Sequence, residues 1–209
     1  MSEDNPIRIL SIDDHPLLQE GIAAIIGSQP DMRLAGQASD AREGIRQFRR
    51  ERPDVTLMDL RLPDMSGIDA LIAIRAEFPG ARVIMLSTFQ GDVEVQRSLE
   101  AGARGFLLKS MPPVGLLAAI RKVHSGKKCV PPEVAVSLAE YLDEDNLTAR
   151  EIEILQAVAA GNRNREVAEL LSISEDTVKV HLRHAMEKLG ARDRTEAVVI
   201  GVRRGIVQV

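Results

Sequence analysis

Asp13 and Asp14 directly follow the apolar run Ile7–Ile12, and Asp59 directly follows the run at 55–58. Ser87 and Thr88 follow the run at 83–86, and Lys109 follows Gly105–Leu108. Short apolar runs flanked mostly by Gly, Pro or Asp read as buried strands. If these strands are parallel, their ends bring three carboxylates, a hydroxyl and an ammonium to one edge of a sheet. Carboxylates so close repel one another, so they need a cation or a shifted pKa. Hard oxygen ligands with open positions suit Mg²⁺, which keeps waters and shares phosphate oxygens. Such an edge is a site for a phosphoryl group beside Mg²⁺, and a carboxylate can itself accept that group. Taken singly, an acidic pair reads as a helix N-cap and one Asp at a strand end as a turn residue. Pro63 and Gly67 read as loop-shaping residues.

A fifth run at 34–38 joins these four, and helical patterns lie between them. Leu17, Leu18, Ile22, Ile25 and Ile26 form one such pattern, and Ile68, Leu71, Ile72 and Ile74 another. Five strands alternating with helices predict a parallel sheet covered on both faces by right-handed crossovers. Ligands of such sheets bind beyond the carboxyl ends of the strands. A last helix over Pro113–His124 closes a first domain, 1–128. Residues 129–146 read as a linker. Pro132 starts a short helix there with Val134, Leu138 and Leu142 on one side, and 143–146 form a polar joint.

From 147 to 209 every pattern is helical. Thr148-Ala149-Arg150-Glu151 is a capping box before Ile152, Leu155 and Val158, and Gly161 ends that helix. A short helix over Asn164–Leu171 and a tight turn at Ser172-Ile173 come next. Ser174 caps the following helix, and Glu175 and Asp176 stand in its first turn, where the helix dipole favours them. That helix runs to about Leu189 and stops at Gly190, and a fourth begins near Thr195. Val178, Leu182, Ala185, Met186 and Leu189 form a stripe to be buried. Lys179, Val180 and Arg183 point away from it. A long cation reaching a guanine edge and an apolar group touching a thymine methyl suit the major groove. The short helix, tight turn and longer helix fit helix-turn-helix geometry. His181 and His184 lack a third ligand, so packing or phosphate contact is the better reading than metal. The last helix is apolar on more than one side. Val199 and Val202 are therefore expected to meet a second copy of the chain.

Asp13-Asp14, the stretch Leu57-Met58-Asp59-Leu60-Arg61-Leu62-Pro63-Asp64-Met65-Ser66-Gly67 and the stretch Gly102-Ala103-Arg104-Gly105-Phe106-Leu107-Leu108-Lys109-Ser110 resemble the receiver domain of two-component response regulators. The resemblance implies that Asp59 takes phosphate from a sensor histidine kinase. It further implies that Asp14, Asp59 and the Arg61 carbonyl hold Mg²⁺, that Asp13 helps through water, and that Lys109 binds a phosphoryl oxygen. Ser87, 22 residues before Lys109 as in the family, is the expected switch hydroxyl, with Thr88 as the alternative. Phe106 stands where receivers vary between aromatic residues, so a switch using a Tyr hydroxyl is excluded. Four strand-end matches at the family spacing outweigh the reading of each acid as a cap or turn.

Leu147-Thr148-Ala149-Arg150-Glu151, Asn164-Arg165-Glu166-Val167-Ala168, Ser174 through His181, and Lys188-Leu189-Gly190-Ala191 resemble the LuxR/NarL-type DNA-binding domain. By that resemblance Lys179, Val180 and Arg183 read bases of double-stranded DNA, and Arg165 and Thr177 contact phosphates. Arg163 departs from the family's Ser or Thr helix cap, which leaves Asn162 or Asn164 to cap instead. The expected architecture is an α/β, doubly wound, five-stranded parallel receiver domain followed by an all-α, four-helix helix-turn-helix domain. The expected role is a transcription regulator, a homodimer when active, and not an enzyme. An Mg²⁺-dependent phosphatase of the haloacid-dehalogenase type would place a second Asp two residues after the nucleophile, where this chain has Arg61. A protein-binding helical module would not call for the exposed Lys179 and Arg183.

Composition narrows the field in the same direction. The net charge of −4 is uneven: residues 1–128 are neutral, 129–145 carry −5 and the rest +1. An acidic chain binds DNA only through a focused basic element, and 177–194 carry a local +3. With four Phe, one Tyr and no Trp, the base-stacking platform of single-strand binders is missing. One cysteine excludes an internal disulfide and a Cys-based zinc site. No apolar run approaches the roughly 18 residues of a membrane span, and the N-terminus lacks signal-peptide features, so the expected location is the cytoplasm, away from membranes.

Overall fold

The computed structural model describes residues 6–88, 92–130 and 147–207. The expected linker helix from Pro132 and the polar joint at 143–146 lie outside the described residues. Two compact units make up the chain, and each is taken by itself.

From its start the chain alternates strands and helices: β1 (Ile7–Ile12), α1 (Pro16–Gly27), β2 (Met32–Ala38), α2 (Ala41–Glu51), β3 (Val55–Asp59), α3 (Gly67–Glu77), β4 (Val83–Ser87), α4 (Asp92–Glu100, of which 92–95 group with the second unit), β5 (Gly105–Leu108) and α5 (Pro113–His124). The strands form one parallel sheet in the order β2-β1-β3-β4-β5, so β1 and β3 are neighbours. Side chains alternate across the pleat. Ile7 and Ile9, Val55 and Leu57, Ile84 and Leu86, and Leu107 form one face, packed with Ile22 and Ile26 of α1 and Leu116, Ile120 and Val123 of α5. Leu10, Ile12, Met58, Met85 and Phe106 alternate with them and are as fully buried. Burial on both faces explains why these strands read as largely apolar runs.

Three strands are longer than their apolar runs. β2 starts at Met32, paired with Ile7. β3 ends on Asp59, paired with Leu86, and β4 ends on Ser87, paired with Leu108. The polar residues at these ends are therefore part of the ladder and inherit its rigidity.

The second unit consists of α6 (Ala149–Ala159), α7 (Asn164–Leu171), α8 (Glu175–Lys188) and α9 (Arg194–Arg203). Ile154, Leu155, Val158, Val167, Val178, Leu182, Leu189 and Ala197 make its core. The capping box of α6 is complete: Glu151 N–H donates to Thr148 Oγ1 at 3.3 Å and Thr148 N–H to the Glu151 carboxylate at 2.7 Å. Ser174 accepts from Thr177 N–H at the start of α8, and Asp193 accepts from Glu196 N–H at the start of α9, one residue earlier than expected. Gly161 and Gly190 end their helices with φ of +90° and +62°, a region that suits glycine.

The start of α7 differs from expectation. Neither Asn caps it: Asn162 donates its side-chain amide to the Ala157 carbonyl, and the N-cap is Arg163 itself. A guanidinium has no acceptor to offer. Glu166 replaces the missing cap from inside the helix, accepting the Arg163 N–H at 2.6 Å.

Candidate functional site

At the carboxyl end of the sheet, Asp13 and Asp59 are brought together by the pairing of β1 with β3. Both are almost fully buried, while the Asp14 side chain is 37% exposed. Lys109 reaches in from the end of β5. Its Nζ lies 2.7 Å from Asp59 Oδ2 and 2.8 Å from Asp13 Oδ2. Burial lifts the Asp59 carboxyl above its usual pKa, more than the Lys109 ammonium lowers it, and the neighbouring Asp13 adds to the rise. Burial works against the Lys109 charge, but hydrogen bonds to Asp13 and Asp59 outweigh it and raise its pKa.

Ser87 is buried at the end of β4, and its carbonyl accepts the Lys109 N–H at 2.7 Å. That bond ties the serine and the lysine to one corner. Thr88, the alternative hydroxyl, is exposed. Phe106 is fully buried on β5, paired with Met85. Arg61 N–H donates to Asp59 Oδ1 at 3.3 Å, which holds the turn after β3 against the carboxylate.

Three residues that the strand-end pattern does not single out support the site. His15 places Nδ1 2.7 Å from Asp14 Oδ1, 3.0 Å from Asp13 Oδ1 and 3.9 Å from Asp59 Oδ2. Gln19 donates its amide to the backbone carbonyls of Asp13 and Ala38, joining the ends of β1 and β2. Asp64 accepts N–H bonds from Ala41 and Arg42 at 2.8 and 3.0 Å, fastening the β3–α3 loop to the start of α2. Burial opposes its charge, but these backbone bonds prevail and lower its pKa. Gly67 does more than shape the loop, because a Cβ there would stand 2.0 Å from the Asp59 carbonyl oxygen.

On α8 the buried stripe is Val178, Leu182, Ala185 and Leu189, with Met186 partly buried against it. Lys179, Val180 and Arg183 are exposed on the other side. Lys179 lies 3.1 Å from Asp176 and 3.4 Å from Glu175, and Arg183 lies 3.9 Å from Glu187. Arg165 on α7 is 83% exposed and 3.2 Å from Glu169. Each of these cations thus leans on an acid of its own helix, a pattern legible only from the helical spacing i, i+3 or i+4. Thr177 is half-buried, with its hydroxyl 2.7 Å from that of Ser174. Among the described residues no third ligand joins His181 and His184. On α9, Val202 packs against the core of its own unit, and Val199 is 51% exposed.

The chain matches the response regulator receiver domain over residues 9–121 and the bacterial regulatory proteins of the luxR family over 145–200. It belongs to the LuxR-type response regulators. It is 39% identical to the uncharacterized transcriptional regulatory protein YxjL of Bacillus subtilis, covering all of both chains. It is 34% identical to the response regulator protein VraR of Staphylococcus aureus over 97% of this chain and 99% of that one. Among solved structures, RcsB of Salmonella enterica serovar Typhimurium, bound to promoter P1flhDC with phosphomimetic BeF3⁻, has a TM-score of 0.73 and 25% identity, with 94% of this chain and 98% of that one covered.

The acidic edge of the sheet gathers groups able to hold a metal ion. One ligand atom from each of Asp13, Asp14, His15 and Asp59 lies within 4.8 Å of all the others. Three hard carboxylates, one of them partly open to solvent, fit Mg²⁺. No described helix is long and apolar enough to cross a membrane.

Proposed function

We propose that Asp59 accepts a phosphoryl group from a sensor histidine kinase and that this modification controls dimerisation and sequence-specific binding to double-stranded DNA. The observation that carries the reading is the buried Asp59 carboxylate, held 2.7 Å from Lys109 and beside Asp13 at the sheet's carboxyl edge. In the transfer, the P–N bond of the donor phosphohistidine breaks as an Asp59 oxygen forms the new P–O bond. The donor imidazole leaves with the P–N electron pair. Lys109 binds a phosphoryl oxygen, and Ser87 supplies the hydroxyl that turns toward the phosphate. Phe106, lacking a hydroxyl, acts by ring packing alone. Asp14, Asp59 and the Arg61 carbonyl would hold Mg²⁺, with Asp13 helping through water, and the ion would offset the charge of the phosphoryl group.

In this reading residues 1–128 act as the receiver, 129–146 as the linker and 147–209 as the DNA-binding domain, in the cytoplasm. Lys179, Val180 and Arg183 read bases, Arg165 and Thr177 hold phosphates, and Val199 with Val202 serves the dimer. The chain is a switch, not a turnover enzyme. Two states of different DNA affinity, biased by one modification, suffice for control. The test is intact-mass analysis of the full-length protein after exposure to a small-molecule phosphodonor and Mg²⁺. Wild type gains one phosphoryl group and Asp59→Asn gains none; equal labelling of both would refute Asp59 as the acceptor.

A further inference from the structure

A second concave site lies at the start of β5, at the edge of the sheet opposite Asp59. Arg75, Leu99, Gly102, Ala103, Arg104 and Lys128 line a pocket there of about 200 Å³. The backbone sets two of its three cations side by side. Gly105 bridges Cys129 in parallel register, with Cys129 N–H donating to the Arg104 carbonyl at 2.9 Å and Phe106 N–H to the Cys129 carbonyl at 3.0 Å. One residue back along both segments, Arg104 stands beside Lys128. Like charges so placed repel. The third cation is held from α3: the Arg75 guanidinium donates to the Ala81 carbonyl at 3.2 Å and lies against Gly102. A Cβ on Gly102 would stand 2.3 Å from Arg75 Nε and 2.7 Å from Cζ, so the missing side chain makes room for the guanidinium. No carboxylate lines the pocket, and among the described residues none of the three cations has an acidic partner. Arg8, Arg49 and Arg121 of the same unit each pair with an acid.

We propose that Arg75, Arg104 and Lys128 form a binding site for a diphosphate group, free or carried on a nucleotide. Guanidinium forks match phosphate oxygens bidentately, and a lysine adds a compact point charge. A diphosphate spreads several negative charges over many oxygens, so one ligand can answer three cations and relieve the Arg104–Lys128 repulsion. The pocket is smaller than the roughly 300–1,000 Å³ of drug-sized sites, which suits a compact anion. Half-burial of Arg75 and Arg104 shields the contacts from full solvent screening.

The experiment titrates full-length protein, free of Mg²⁺, with inorganic pyrophosphate and separately with ADP. Binding is read by calorimetry and by the amide resonances of nitrogen-15-labelled protein. Wild type binds one pyrophosphate and shifts the amides of Gly102, Gly105 and Cys129. Arg104→Gln and Lys128→Gln each weaken binding about tenfold or more while circular dichroism shows an unchanged fold. Lys179→Gln and Arg183→Gln, in the other unit, leave the affinity as it is. ADP binding at the same amides assigns the diphosphate to a nucleotide; pyrophosphate binding without ADP binding assigns it to the free anion. Sulfate competing as well as pyrophosphate overturns the diphosphate assignment. Shifts confined to α8, unchanged affinity in Arg104→Gln and Lys128→Gln, or no saturable binding by wild type overturns the site.

Discussion

The α-carbon of Gly67 sits so close to Asp59 that a methyl group on it would stand 2.0 Å from the Asp59 carbonyl oxygen. Backbone lies on the far side of that contact, with the Asp59 carbonyl carbon at 3.0 Å and Leu60 Cα at 3.1 Å, so no flexible side chain can yield. Gly67 N–H also donates to the Leu60 carbonyl at 2.9 Å, locking the start of α3 to the end of β3. Gly67→Ala is expected to cost about 1–3 kcal/mol by overpacking and to push Asp59 out of register with Lys109. Thermal unfolding measures the first effect, and the rate of phosphorylation by a small-molecule donor measures the second. Gly80→Ala, where a Cβ meets nothing within 4 Å, is the control.

Asp59 also sets a pH dependence. Its folded pKa is raised, so the folded chain holds that proton more tightly than the unfolded chain. The resulting stabilisation is complete below the unfolded carboxylate pKa and is lost as pH rises through the raised folded value. At neutral pH the ionised Asp59 is therefore a burden in metal-free protein. In the presence of chelator, Asp59→Asn is predicted to melt higher than wild type at pH 7, with the gap closing as pH falls toward 4. A variant that melts lower than wild type at both pH values would contradict this.

Glu151 behaves in the opposite sense. It is 3% exposed, closes the α6 capping box and lies 2.9 Å from Lys188 near the end of α8. Burial opposes its charge, but the Thr148 backbone bond and Lys188 prevail, and its pKa falls. Its contribution is present above the unfolded carboxylate pKa and is lost as pH drops through the lowered folded value. Glu151→Gln should cost about 1–2 kcal/mol at pH 7 and flatten the acid side of the stability profile. Circular dichroism melts between pH 3 and 7 would check both.

Arg165 of α7 and Lys179 and Arg183 of α8 have acids of their own helices as counter-ions, which DNA would displace in the proposed reading. Lys179→Ala and Arg183→Ala are expected to weaken specific DNA binding by roughly an order of magnitude or more and to relax sequence preference. Arg165→Ala should weaken all sequences alike and reduce the salt slope by about 1. Glu187→Gln, which frees Arg183, should raise non-specific affinity. Salt titrations of fluorescent duplex binding separate these effects.

The sheet and the four strand-end groups are legible in the sequence because strands buried on both faces print themselves as apolar runs, and the residue after each run is the residue at the edge. The runs fall one residue short at Asp59 and Ser87 because a polar side chain can still pair its backbone. His15 carries no such signal: one histidine before a proline reads as loop, and only the fold shows that its ring faces three acids. Glu151 reads as half of a capping box but not as an anchor for Lys188, since 37 residues separate them in the chain. Arg163 stands out as a misfit for a helix cap, and its remedy is not a neighbouring Asn but Glu166, the reciprocal half of the capping box. On α9, Val202 is half-buried against the core of its own unit, and Val199 is the more exposed of the two.

The most direct test of phosphorylation-gated DNA binding is selection from random duplex DNA by the full-length protein, with and without Mg²⁺ plus beryllofluoride, for wild type and Asp59→Asn. The account predicts a motif of paired half-sites enriched by wild type only when the phosphoryl mimic is present, and by the variant in neither condition. Equal enrichment by wild type with and without the mimic would contradict control through Asp59.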